Sequence, residues 1–127
     1  MIDVEIDVFN RVYTKLIAEF PNAFVSGEYV RVPKSFPAVS IIEMSNVIYE
    51  PASALSDIEV AATIMYEVNV YSNLAVCKKT EAKDILSVID NEFLAMGFIR
   101  QYSNPVPNLE DATIYRIVAR YEKIQCK

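Results

Sequence analysis

Carboxylates are the most plentiful reactive side chains in this chain, and two close pairs stand out: Asp57 with Glu59, and Glu110 with Asp111. Such pairs do general acid–base work or bind a hard cation when a fold brings further ligands to them. Both fall in segments of turn composition without a supporting motif, so they read as solvated loop residues. The chain contains no histidine. That removes Ser-His-Asp and Cys-His catalysis and most zinc and non-haem iron sites. Its two glycines, Gly27 and Gly97, fit no phosphate-cradling pattern. Cys77 and Cys126 lie far apart and form no CxxC pair. With no segment resembling a secretory leader, they read as reduced thiols in a cytosolic protein. No catalytic residue, cofactor or metal site is expected, and the chain reads as a non-enzyme.

What remains is chemistry of contact. Eight tyrosines suit surfaces that are half apolar and half wet, although strands also favour them. The net charge of −5 is unevenly spread. Residues 35–77 hold Glu43, Glu50, Asp57, Glu59 and Glu67 and no Lys or Arg, whereas residues 112–127 hold Arg116, Arg120, Lys123 and Lys127 against Glu122 alone. Such asymmetry bears on partners and solubility, and an acidic balance argues against a general nucleic-acid binder. By alternation Glu67, Arg116 and Arg120 project from the face opposite the tyrosine-rich one. Two readings are open for them: a cross-strand ion pair on a wet sheet, or a contact between subunits.

The elements that must position these groups fit one domain of 127 residues, with no linker. Residues 2–20 predict an amphipathic helix with Ile2, Ile6, Phe9, Tyr13, Leu16, Ile17 and Phe20 as its buried stripe. Asp3, Glu5 and Asp7 favour its positive end. Strands are expected at 24–32, 38–49 and 60–72, with a loop at 51–59. In the third strand Ala62, Ile64, Tyr66, Val68 and Val70 alternate with Thr63, Met65, Glu67, Asn69 and Tyr71. A second helix is expected at 74–96, burying Ala82, Ile85, Leu86, Ile89, Phe93 and Met96, with Gly97 as its stop. Strands at 98–102 and 112–124 follow, separated by a turn-rich segment. The order α-β-β-β-α-β-β predicts an α+β fold, with a mixed, mainly antiparallel sheet carrying both helices on one face. No apolar run approaches the ~18 residues that cross a bilayer.

Two segments carry a resemblance: Met65 to Leu74 (MYEVNVYSNL) and Pro107 to Tyr121 (PNLEDATIYRIVARY). With the opening helix and the strand after Phe36-Pro37, they resemble the tail terminator, or tail completion, proteins of long-tailed bacteriophages and prophages. The resemblance covers most of the chain and rests on texture and element order, with no catalytic signature. It implies an α+β fold and a homo-oligomeric ring, a hexamer by expectation, that caps the finished tail tube and joins tail to head. Implied partners are copies of the chain itself, the tail tube protein and the head connector protein, with DNA passing through rather than bound specifically. The implied place is the tail or neck of a virion. Interface residues expected on this reading are Glu43, Glu50, Asp57, Glu59, Glu67, Tyr71, Arg116 and Arg120. Two readings are open for the acidic segment: it lines the lumen, where basic walls would retard DNA, or it is a solvated outer hairpin whose acids aid solubility. Alternatives are a head-completion or connector adaptor of the same particle, and a cytosolic ligand-binding protein.

Overall fold

The computed structural model describes residues 1–50, 60–107 and 111–127. In chain order these form α1 (Glu5–Glu19), β1 (Phe24–Ser26), β2 (Ala38–Ile48), β3 (Ala61–Ser72), α2 (Lys78–Ala95), β4 (Ile99–Val106) and β5 (Tyr115–Cys126). The order is the expected α-β-β-β-α-β-β. The expected loop at 51–59, and with it Asp57 and Glu59, lies outside the described residues, as does Glu110.

One five-stranded sheet runs β1-β2-β3-β5-β4. β1 is parallel to β2, and the other three pairs are antiparallel. β3 is central, and its alternation sets the two faces. Ala62, Ile64, Tyr66, Val68 and Val70 are all buried and join the core contributed by both helices. The other face carries Thr63, Met65, Glu67, Asn69 and Tyr71.

Four rings anchor the core. Phe93 of α2 stacks on Tyr121 with centroids 4.4 Å apart, and Tyr66 and Phe98 close the cluster in tilted and edge-on contacts. α2 buries Ala82, Ile85, Leu86, Ile89 and Phe93, as its spacing predicts. It begins at Lys78 rather than at residue 74, and ends where Gly97 takes φ +93°, a conformation in which a side chain would be strained.

α1 differs from expectation in its buried side. Val8, Val12 and Leu16 are buried, while Ile6 is 74% exposed and Tyr13 is exposed too. At 100° per residue the true stripe is turned roughly a quarter-turn from the expected one. The helix has more apolar side chains than one contact can cover, and packing against α2 and the sheet selects the narrower i, i+4, i+8 row.

Three strands also differ. β1 is three residues long, not nine, and the chain leaves it at Ser26 to connect two parallel strands. β4 continues through Asn104, Pro105 and Val106, where a turn is expected from composition. Because β4 is an edge strand, Pro105 can point its missing N–H side away from the ladder at no cost. β5 begins at Tyr115 and runs to Cys126. Ahead of it, Asp111 accepts hydrogen bonds from the Thr113 amide (2.9 Å) and hydroxyl (2.6 Å), which hold its pKa down and close a local turn. Among the described residues no helix is long and apolar enough to cross a membrane.

Candidate interaction surface

The sheet face opposite the helices reads as rows of side chains set by register. One row is Ile42, Glu67, Arg120 and Tyr102; the next is Ser40, Asn69, Val118 and Asn104; the third is Ala38, Tyr71, Arg116 and Val106. Strand alternation puts these residues on one face, and the antiparallel pairs β3–β5 and β4–β5 line them up.

The polar groups form a connected ladder. Arg120 donates from Nε (3.2 Å) and Nη2 (3.0 Å) to Glu67 Oε2. Asn69 Nδ2 donates to Glu67 Oε1 at 3.2 Å. Arg116 in turn donates from Nε (3.0 Å) and Nη2 (2.7 Å) to Asn69 Oδ1. Each guanidinium also lies near a ring: Arg116 is 5.6 Å from the Tyr71 centroid and Arg120 is 5.9 Å from that of Tyr102. Asn69 is fully buried beneath these long side chains. Burial is the main cause that pushes the Tyr71 pKa up, opposed by the Arg116 charge. The ladder carries two cations and one anion, so it is locally positive on an acidic protein.

Toward the other end of this face the side chains turn apolar. Val47, Met65 and Ile124 approach Ile99 and Tyr102 across four strands, and all but Met65 are exposed. Near Tyr71 the segment after β1 contributes Tyr29, Arg31 and Phe36, which with Arg116 and Pro107 line an open cleft of about 470 Å³.

Of the residues expected at an interface, Glu67, Tyr71, Arg116 and Arg120 are thus brought together. Glu43 is not among them. It pairs with Tyr66 and therefore lies on the helix-bearing face, where the Tyr66 hydroxyl donates to Glu43 Oε2 at 3.4 Å. Burial, then the charges of Glu5 and Asp3, push its pKa up. Glu50 is exposed just beyond β2, and Asp57 and Glu59 lie outside the described residues. The acids of residues 35–77 consequently do not share one surface, since Glu43 and Glu67 are on opposite faces.

Sequence reasoning missed Asn69 and Tyr102 as members of the ladder. Asn69 was signalled by its place between Glu67 and Tyr71 in the alternation; Tyr102 was hidden, because its alignment with Arg120 depends on a register shift between Arg100 and Tyr102.

On the helix face the polar groups hold structure together. The Tyr121 hydroxyl donates to Asp90 at 2.8 Å, Arg100 pairs with Asp90 at 2.9 Å, and Arg11 of α1 pairs with Glu92 of α2 at 2.9 Å. Among the described residues no group of three or more candidate ligands is placed to hold a metal ion. No known protein-family model matches the chain, and no curated protein matches it.

Proposed function

We propose that this protein is a structural component of a virion, assembling into a homo-oligomeric ring, a hexamer, that caps a tail tube and joins tail to head. The resemblance of residues 65–74 and 107–121 to tail terminator proteins supplies the particle. The observation that carries assembly is the sheet face away from the helices. Among the described residues neither helix covers it, and it pairs a rigid Arg–Asn–Glu–Arg ladder with exposed Val47, Ile99, Tyr102 and Ile124. An uncovered face with contiguous apolar side chains and a polar rim is the usual anatomy of a subunit contact.

On this reading the ladder is set before assembly. Its side chains are already locked by bonds within one chain, so little rotamer freedom is lost when a neighbour docks. DNA passes the ring without specific contacts. Molar-mass measurement in solution, followed by negative-stain imaging, tests the proposal. A discrete mass of several chains and closed rings of uniform diameter are expected. A strictly monomeric protein at high concentration would overturn it.

A further inference from the structure

The sheet ends in two open backbone edges, and the two match. One is β4, whose eight residues pair only with β5. The other is β2 beyond β1: β1 covers Ala38–Ser40, so Ile42–Ile48 pair only with β3. Among the described residues, no further backbone hydrogen bond reaches either stretch. An open edge is a row of N–H and C=O groups ready to take another strand, and natural sheets often blunt it with lysine or proline. The stretch Ile42–Ile48 contains neither.

Direction and height agree as well. β2 and β5 both run antiparallel to β3, and β4 runs antiparallel to β5, so β2 and β4 point in opposite directions. A second copy set alongside with its helices on the same side therefore offers β2 antiparallel to β4. Register puts Glu43, Tyr66, Tyr121 and Arg100 in one row, which brings Ile99–Ser103 level with the uncovered part of β2. Pro105, which has no N–H to give, stands level with Val39, where β1 already fills the edge.

The side chains favour the same contact. Val47 on β2 is 60% exposed and Ile99 on β4 is 67% exposed, both on the face away from the helices, with β3 and β5 between them. At ~4.8 Å per strand they lie ~14 Å apart in one chain, too far to cover each other. Between neighbouring copies they become diagonal cross-strand partners, with Tyr102 beside them. On the helix-bearing face Arg100, held by Asp90 of its own chain, comes opposite Glu43, so no like charges meet there. We infer that β4 of one copy pairs antiparallel with Ile42–Ile48 of the next copy, continuing the sheet from subunit to subunit. Each copy offers one edge of each kind, and such head-to-tail contacts close into a ring when the rotation permits, which occupies both edges. This inference rests on the ring reading and names its contact.

Cross-linking tests it, in a chain whose exposed Cys77 and Cys126 are both changed to serine. Val47→Cys and Ile99→Cys change exposed positions, and circular dichroism should show each variant folded like the parent. With both substitutions in one chain, a short thiol-reactive cross-linker should join successive copies into a series that runs up to the full ring. Either substitution alone should give no cross-link. A dimer from Ile99→Cys alone would show β4 pairing with β4 and overturn the inference. The backbone provides an independent test. Pro105 is accommodated because its nitrogen points away from β5, and Ser103, two residues earlier in the same strand, directs its N–H the same way. Ser103→Pro thus spares the β4–β5 ladder and removes a donor from the joint. It should weaken association at least about tenfold, whereas Ser103→Ala should associate as the parent does. If Ser103→Pro assembles normally, or the chain with both cysteines stays unlinked within intact rings, only this inference falls; that is also the result expected if the two edges take strands of another protein. A parent protein that never associates overturns both.

Discussion

Glu67 and Arg120 are directly opposed across the β3–β5 pair, with Arg120 Nη2 at 3.0 Å and Nε at 3.2 Å from a single carboxylate oxygen of Glu67. The other oxygen accepts from Asn69. Glu67 is therefore the branch point of the ladder, and Arg120 one of its arms.

Removing the branch point should cost more than removing an arm. Glu67→Ala is expected to lose about 1–2 kcal/mol of stability, because it frees Arg120 and leaves the buried Asn69 amide without an acceptor. Arg120→Ala should cost about 0.5–1 kcal/mol, its guanidinium being partly exposed. Denaturant titration of both variants and the double variant should give a coupling of the same order. Additive losses would mean that the pair is geometric only.

The buried side of α1 can be read from two truncations. Val12→Ala should cost about 1–3 kcal/mol, since Val12 is fully buried. Ile6→Ala should stay within about 0.5 kcal/mol. Phe93→Ala, which removes the ring at the centre of the aromatic cluster, should cost about 3–5 kcal/mol. Equal melting of the Val12 and Ile6 variants would refute the stripe.

Stability should depend on pH through Glu43. Its folded-state pKa is raised by burial and by Glu5 and Asp3, so the folded chain binds the proton more tightly than the unfolded chain does. Stability from this group is thus present at low pH and lost as pH rises from the ordinary glutamate range through the raised value. Glu43→Gln should be more stable than the parent near neutrality and show a flatter profile over that window. Urea midpoints measured across the carboxylate range decide it; a Gln variant less stable at neutral pH would show that the Tyr66 bond outweighs the repulsion.

Tyr121 offers a test on the helix face. Burial and the Asp90 hydrogen bond both push its pKa up, which keeps the phenol protonated as the donor to Asp90. Tyr121→Phe keeps the stacking on Phe93 and removes only that bond, so a loss of about 1–2 kcal/mol is expected in chemical denaturation. No change would mean that Arg100 alone satisfies Asp90.

The sequence by itself determined what depends on near neighbours along the chain. The two-residue repeat of β3 placed Tyr66, Val68 and Val70 on one face and Glu67, Asn69 and Tyr71 on the other, because pleating alternates side chains whatever the strand is paired with. The i, i+3, i+4 row of α2 and its Gly97 stop were equally legible, since a single apolar stripe leaves one way to pack. The lack of histidine was final at the level of composition. Tertiary structure decided the rest. α1 has two overlapping apolar arcs, and only its contacts with α2 and the sheet chose Val8, Val12 and Leu16. Strand order placed β5 between β3 and β4, which brought Arg116 and Arg120 to Asn69 and Glu67 from about 50 residues away. A bulge in each of two strand pairs then set which acids and tyrosines meet: one lies between Glu43 and Ser45, the other between Arg100 and Tyr102. A one-residue shift moves a side chain to the opposite face, and nothing local in the sequence announces it.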